Sequence, residues 1–124
     1  MAANKKVRFG PIALTNTLTT NILNPPTLTG GVVTGTVNTN TYFLIRHIRI
    51  INKTANSATF SLFIGTTGTN TAGTEFEGNG TQVPGNSAYD WFGELRLDVA
   101  DFLVGGASGA TTLTLQAEGE IGVV

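Results

Sequence analysis

The apolar and polar positions of this chain alternate with the period of short β-strands. In the stretch YDWFGELRL, residues 89–97, Trp91 and Leu97 fall on one side and Asp90 falls on the other. Because strand side chains point alternately to two faces, this stretch predicts an antiparallel strand with one buried and one wet face. We expect Trp91 to anchor the core, with Gly93 leaving room for its ring or marking a bulge.

The longest apolar and β-branched run, Thr41–Ile51 (TYFLIRHIRII), predicts the central strand. A strict period of two would bury Arg46 between apolar neighbours, and an unpaired buried guanidinium is costly. We therefore predict a bulge at Arg46 and His47, which keeps the apolar residues before and after it on one face. The alternative is a carboxylate partner for Arg46, with Glu94 as the candidate.

Further short strands are expected from Ala58 to Ile64 and from Thr111 to Ala117, and no segment has a helical pattern. Turn-forming residues recur every ~8–12 positions from Thr41 onwards, which is typical of sandwiches. The stretch Gly65–Gly80 is predicted to be a long loop that hides a short strand near its end. The fold class is therefore all-β, a single-domain antiparallel β-sandwich or jelly roll of about eight strands.

The chain divides into two parts of one domain. Residues 1–40 are expected to form an N-terminal arm and weakly packed edge strands, including one around positions 31–37, and residues 41–124 form the sandwich core. Either the strands of the first part pair with another subunit or they pair at the edge of their own sheet. Lys5, Lys6 and Arg8 give the arm a basic character, suited either to docking on an acidic protein surface or to a solvated terminus.

Composition narrows the classes of function. Charged residues are only 12% of the chain, about half the usual share, which suits a protein held among neighbours. The net charge of −1 and the absence of a basic cluster argue against nucleic-acid binding. Without cysteine there is no disulfide or thiolate chemistry. No run approaches the ~20 apolar residues of a membrane helix, and the N-terminus lacks the apolar run of a signal peptide.

The residues that could carry chemistry do not form a catalytic motif. His47, the only histidine, has no serine or carboxylate at a useful local spacing, so we expect it to be a structural strand residue. Asp90, Glu94 and Asp98 share a strand face, but residues four apart on a strand are roughly 13 Å apart and cannot chelate one ion. We predict no catalytic residues, no metal and no cofactor.

Phe63 and Phe92 stand apart because each lies opposite the apolar face of its predicted strand. Aromatic residues on an outer face are typical of a second sheet or a subunit contact. Together with Lys5, Lys6 and Arg8, they are the predicted interface residues.

Four motifs follow one another from Tyr42 to Val123: YFLIRHIRIINKT, TFSLFIGTTGT, VPGNSAYDWFGELRLDVADFLVGG and TTLTLQAEGEIGV. This succession resembles small β-sandwich virion proteins of tailed bacteriophages, of the kind that decorate heads or sit in tails. The resemblance implies a capsid decoration (cement) protein that binds the capsid lattice as a homo-oligomer, with a trimer favoured. It implies the major capsid protein or another virion protein as partner, location in the virion and no enzymatic activity.

Two alternatives remain open. The chain could be a tail or receptor-binding module that holds a host surface glycan on the loop Gly65–Gly80 and nearby aromatic residues. It could also be a small β-domain enzyme, which would need a carboxylate beside His47.

Overall fold

The computed structural model describes residues 5–25 and 41–123, which form two facing β-sheets. The predicted β-sandwich is therefore confirmed. Residues 1–4 of the expected N-terminal arm and the expected strand around positions 31–37 lie outside the described residues. The eight strands of the described residues are β1 Lys5–Ala13, β2 Asn21–Leu23, β3 Thr41–Asn52, β4 Ala58–Gly65, β5 Glu75–Val83, β6 Ser87–Leu97, β7 Phe102–Ala107 and β8 Leu113–Val123.

Each sheet has four strands within the described residues. The first sheet has the order β1-β8-β3-β6 and the second has the order β2-β7-β4-β5. All the paired neighbours run antiparallel. Strand β3 lies between β8 and β6, as expected of the central strand. Among the described strands, β1 and β2 lie at the edges of their sheets. Strand β1 starts at Lys5, so Lys5 and Lys6 belong to a strand.

The core lies between the two sheets and is made of aliphatic and aromatic side chains. Burying one large side chain of this kind contributes about 1.5–3 kcal/mol. Strand β3 contributes four of these residues, which explains why its apolar run is the longest in the chain. The largest fully buried side chains are Phe43, Phe60, Ile45, Ile48, Ile50, Leu62, Leu97, Leu103, Leu113, Leu115, Ile121 and Val83.

Strand β3 carries the predicted bulge. Ile45 pairs with Gly119 of β8 and His47 pairs with the preceding residue, Glu118, so Arg46 has no opposite residue in that strand. The irregularity puts the side chains of Ile45 and Ile48 both into the core, at 0% and 1% exposure. Strand β8 approaches closely here, because a Cβ on Gly119 would collide with the carbonyl oxygen of Leu44. Glycine at 119 is therefore required by the bulge.

Trp91 packs against the core from its rim and not at its centre. Its ring meets Phe76 edge-on, with centroids 5.1 Å apart. A Cβ on Gly93 would lie 2.7 Å from the indole, so Gly93 leaves room for the ring, as predicted. The expected loop Gly65–Gly80 is shorter than predicted, because β5 already starts at Glu75.

Candidate functional site

The outward surface of the first sheet holds most of the chain's charge, and we call it the charged face. It carries five of the seven basic residues and four of the eight acidic residues, although the chain as a whole is poor in charge. The inward neighbours of these residues form the core. The charged residues of this face are Lys6, Arg8, Arg46, Arg49, Arg96, Asp90, Glu94, Glu118 and Glu120.

The sign of the charge alternates from strand to strand across this face. Strand β1 is basic, β8 is acidic, β3 is basic and β6 is predominantly acidic. Lys6 lies opposite Glu120, and Arg8 lies opposite Glu118. Opposite charges facing each other on neighbouring strands contribute roughly 0.2–1 kcal/mol per pair, so the order helps to hold the strands in register.

Arg46 has carboxylate partners on both neighbouring strands. Its Nε donates to Oε2 of Glu120 at 2.9 Å, and its Nη2 lies 2.8 Å from the same oxygen. Nη2 also lies 3.7 Å from Oε1 of Glu94, the partner predicted from the sequence. Both predictions for Arg46, the bulge and the carboxylate, are therefore confirmed. Since half of the Arg46 side chain is exposed, each ion pair contributes only about 0–1 kcal/mol.

Asp90 joins Arg49 and His47 into one cluster. Arg49 donates to both carboxylate oxygens of Asp90, from Nε at 2.8 Å and from Nη2 at 3.2 Å, and this lowers the pKa of Asp90 to about 2 with help from His47. The same hydrogen bond raises the pKa of Arg49. His47 Nε2 lies 2.8 Å from Oδ1 of Asp90. Because a carboxylate only accepts hydrogen bonds, Nε2 carries the proton.

His47 also stacks on Phe92. The two rings are nearly parallel, at 8°, with centroids 4.5 Å apart. Phe92 remains 73% exposed, so its other face is open to solvent. The local sequence offers His47 no carboxylate, but the pairing of β3 with β6 brings Asp90 beside it from 43 positions away, which meets the condition stated for the enzyme alternative. Pairing the two strongest predicted strands would have been the only signal for this contact.

A broad depression of about 790 Å³ lies over the middle of the charged face. Its lining combines three basic side chains, two carboxylates and His47, and no hydroxyl or thiol side chain is among the described residues that form it. A nucleophile for His47 to activate is thus missing from the described lining. The lining residues are Lys6, Val7, Arg8, Arg46, His47, Glu118, Gly119 and Glu120.

The three carboxylates Asp90, Glu94 and Asp98 each face an arginine instead of a common centre. Asp90 contacts Arg49, Glu94 contacts Arg46, and Asp98 accepts from Nε of Arg96 at 2.6 Å. Among the described residues no three His, Asp or Glu side chains are grouped as a metal site would need. In the same residues no helix is long and apolar enough to cross a membrane.

The predicted interface residues have different positions. Lys6, Arg8 and Phe92 are exposed on the charged face, and Lys5 lies in β1 opposite Ile121. Phe63 is only 6% exposed, so the expectation of an outward, available ring is wrong.

The burial of Phe63 means that the outward side of β4 is covered at this point. Strand β4 is an inner strand between β7 and β5, and its neighbouring residue Ser61 is also buried, at 6% exposure. The prediction from alternation assumed that one face of β4 is exposed to solvent, but neither face of β4 is exposed at this point.

Comparison with known proteins finds no matching family model, no matching characterised protein and no matching solved structure. What the chain does is therefore inferred from its own residues.

Proposed function

We propose that this chain is a structural virion protein, a capsid decoration protein that binds the capsid lattice as a homo-oligomer and catalyses no reaction. The observation that carries the proposal is the charged face. A chain poor in charge places most of its ionic side chains on one sheet surface and leaves an aromatic ring, Phe92, exposed among them.

Such a surface suits contact with protein. Aromatic residues and arginine are enriched in protein interfaces. Complementary charges set which partner binds and in which register. The resemblance of the four motifs between Tyr42 and Val123 to small phage virion proteins supplies the class of partner, the major capsid protein or another virion protein, and the virion as location.

The His47–Asp90 contact fits a structural role better than a catalytic one. Asp90 accepts from Nε and Nη2 of Arg49, and the His47 ring lies flat against Phe92. Both groups are thus engaged within the sheet. With Nε2 donating to Asp90, Nδ1 of His47 is the nitrogen that could accept a proton, but no hydroxyl or thiol for it to activate is among the described residues that line the depression.

The test is to purify the particles of the virus or prophage that encodes this chain and to quantify the chain by mass spectrometry. We expect a fixed copy number per capsid. Purified chain added to capsids stripped of it should co-sediment with them. Absence from purified particles, together with failure to bind stripped capsids, would refute the proposal.

A second candidate is a receptor-binding module for a host glycan, and the open ring of Phe92 favours it. Sugars stack on exposed aromatic rings and bond to nearby charged groups, which Asp90 and Arg49 supply here. A glycan array probed with the protein and with Phe92→Ala tests this. Saccharide binding that the substitution abolishes would support the glycan function.

A further inference from the structure

Four residues form one row across the charged face. Arg8 of β1 pairs with Glu118 of β8, Glu118 with His47 of β3, and His47 with Phe92 of β6. The row therefore starts with a positive charge and ends with an exposed aromatic ring.

Three groups of this row remain available for contact with a second molecule. In the described part of the protein, neither Arg8 nor Glu118 has an oppositely charged side-chain atom within 4.0 Å. Phe92 has His47 on one face and nothing that limits access to the other, since the ring is 73% exposed. An unpaired guanidinium and an open ring are complementary, because a cation over an aromatic face is attracted by the negative face of the ring.

Two copies of one sheet can stack face to face about a two-fold axis in either of two directions. An axis across the strands places each strand on its own counterpart, so a basic strand covers a basic strand and an acidic strand covers an acidic one. An axis parallel to the strands exchanges the outer strands, so β1 covers β6 and β8 covers β3. The strand order of charges, basic–acidic–basic–acidic, is complementary to itself only about the parallel axis.

We infer that the charged face is the interface of a homodimer whose two-fold axis runs parallel to the strands of the first sheet. In this dimer Arg8 of one copy packs on Phe92 of the second copy, and Glu118 faces the second copy's His47. Each contact occurs twice because a two-fold interface is isologous. The inference goes beyond the proposed function, because it assigns the charged face to the contact between copies of the oligomer, so that a capsid would bind another surface of the dimer.

Under this symmetry, one row of residues places two positive charges opposite each other across the dimer. Lys6 and Arg96 lie at the two ends of the row through Glu120, so each faces the other across the dimer. Arg96 is already neutralised, since its Nε donates to Asp98 at 2.6 Å and its guanidinium lies 4.2 Å over the Tyr42 ring. The central rows with Arg8, Glu118 and Arg46 therefore decide the electrostatic balance.

The area is sufficient for a specific contact. The face is four strands wide, about 15 Å between outer strand axes, and its strands are about 30–40 Å long. Two such faces in contact bury on the order of 1,000 Å², the lower range for a biological interface.

Analytical ultracentrifugation of the full chain tests the inference. We expect a monomer–dimer equilibrium that weakens as salt rises from about 0.05 M to about 0.5 M, because exposed charges are screened. Arg8→Glu and Phe92→Ala should each weaken the dimer by about tenfold or more. Lys53→Glu is the matched control, since Lys53 is exposed outside the strands of this face and should leave the dimer unchanged. Circular dichroism checks that every variant is folded.

Disulfide trapping tests the direction of the axis, since the chain has no cysteine of its own. In an Arg8→Cys and Phe92→Cys double variant, oxidation should give a covalent dimer, as disulfides can join packed sheets. An intrachain bond is impossible because the two positions are about 14 Å apart across three strand spacings. The single variant Arg8→Cys should stay uncrosslinked.

Several outcomes would overturn the inference. A chain that stays monomeric at the highest concentration would overturn it, even if Phe92 then proved to bind a glycan. So would a trimer, which would nevertheless agree with the oligomer of the proposed function. A dimer insensitive to both interface variants, or one that Arg8→Cys alone crosslinks, would exclude this face or this axis.

Discussion

The imidazole of His47 lies flat on the ring of Phe92, 4.5 Å between centroids, and donates from Nε2 to Asp90. These contacts join β3 and β6 on the outside of the first sheet, directly behind the buried Ile48. The pair therefore links the core, the ionic cluster and the exposed surface. Most of the predictions below separate what this outer layer contributes from what the core contributes.

Phe43 and Phe92 form a matched pair of the same residue type on opposite faces of the first sheet. Phe43 is fully buried, and Phe92 is 73% exposed. We expect Phe43→Ala to lower the free energy of unfolding by about 3–5 kcal/mol and Phe92→Ala to change it by less than about 1 kcal/mol. Urea denaturation at low protein concentration measures both. A large loss from Phe92→Ala would mean that this ring serves folding instead of contact.

The ionisation of Asp90 makes the stability of the fold depend on pH in the acidic range. Its folded pKa of about 2 lies below its ordinary value of 3.8, because Arg49 and His47 bond to the ionised form. The stabilisation is therefore complete above about pH 4 and is lost as the pH falls towards 2. Urea midpoints should fall more steeply over this range for the natural chain than for Asp90→Asn. Parallel curves for the two proteins would contradict this assignment.

The ionisation of Tyr89 makes the stability of the fold depend on pH in the alkaline range. Burial raises its pKa to about 12, with a further contribution from Glu77, whose Oε1 accepts from the phenol at 2.7 Å. The folded state is favoured fully below the ordinary value of 10.0 and loses this advantage as the pH rises towards 12.

The absorbance of phenolate at alkaline pH measures this titration. We expect the high-pH step to disappear in Tyr89→Phe and to move to lower pH in Glu77→Gln, which removes the acceptor charge. A step that Glu77→Gln does not move would show that burial alone causes the shift.

Gly119→Ala should damage the first sheet. The added methyl would collide with the carbonyl oxygen of Leu44, so β8 and β3 must separate at the bulge. We expect a loss of about 1–3 kcal/mol in unfolding free energy, typical of overpacking. Gly109→Ala is the control, because its methyl would meet only the Thr112 side chain, at 3.2 Å. Thermal denaturation compares them, and equal melting temperatures would contradict the proposed close approach.

The local pattern of apolar and polar residues was enough to predict the strands and the bulge. The alternation of residues 89–97 predicted which side of β6 is buried, because side-chain direction in a strand depends only on position along it. The bulge near Arg46 followed from the cost of burying a guanidinium, which is a property of one residue and its neighbours. The charge-poor composition likewise needs no structure.

Strand pairing decided which residues become neighbours, and the local pattern of apolar and polar residues does not contain this information. Phe63 was expected outside and is buried, because β4 is an inner strand whose outward side is also covered at this point. The contact of His47 with Asp90 depends on the register of β3 with β6. The alternation of charge across the first sheet depends on the order β1-β8-β3-β6, in which β8 lies between β1 and β3.

The sequence by itself thus determined the fold class, the face that most strands bury and the place of the bulge. Only the tertiary structure decided which side chains become neighbours on the charged face. The physical reason is that side-chain direction follows from local backbone geometry, whereas strand order and register result from hydrogen bonding and packing between segments far apart in the chain.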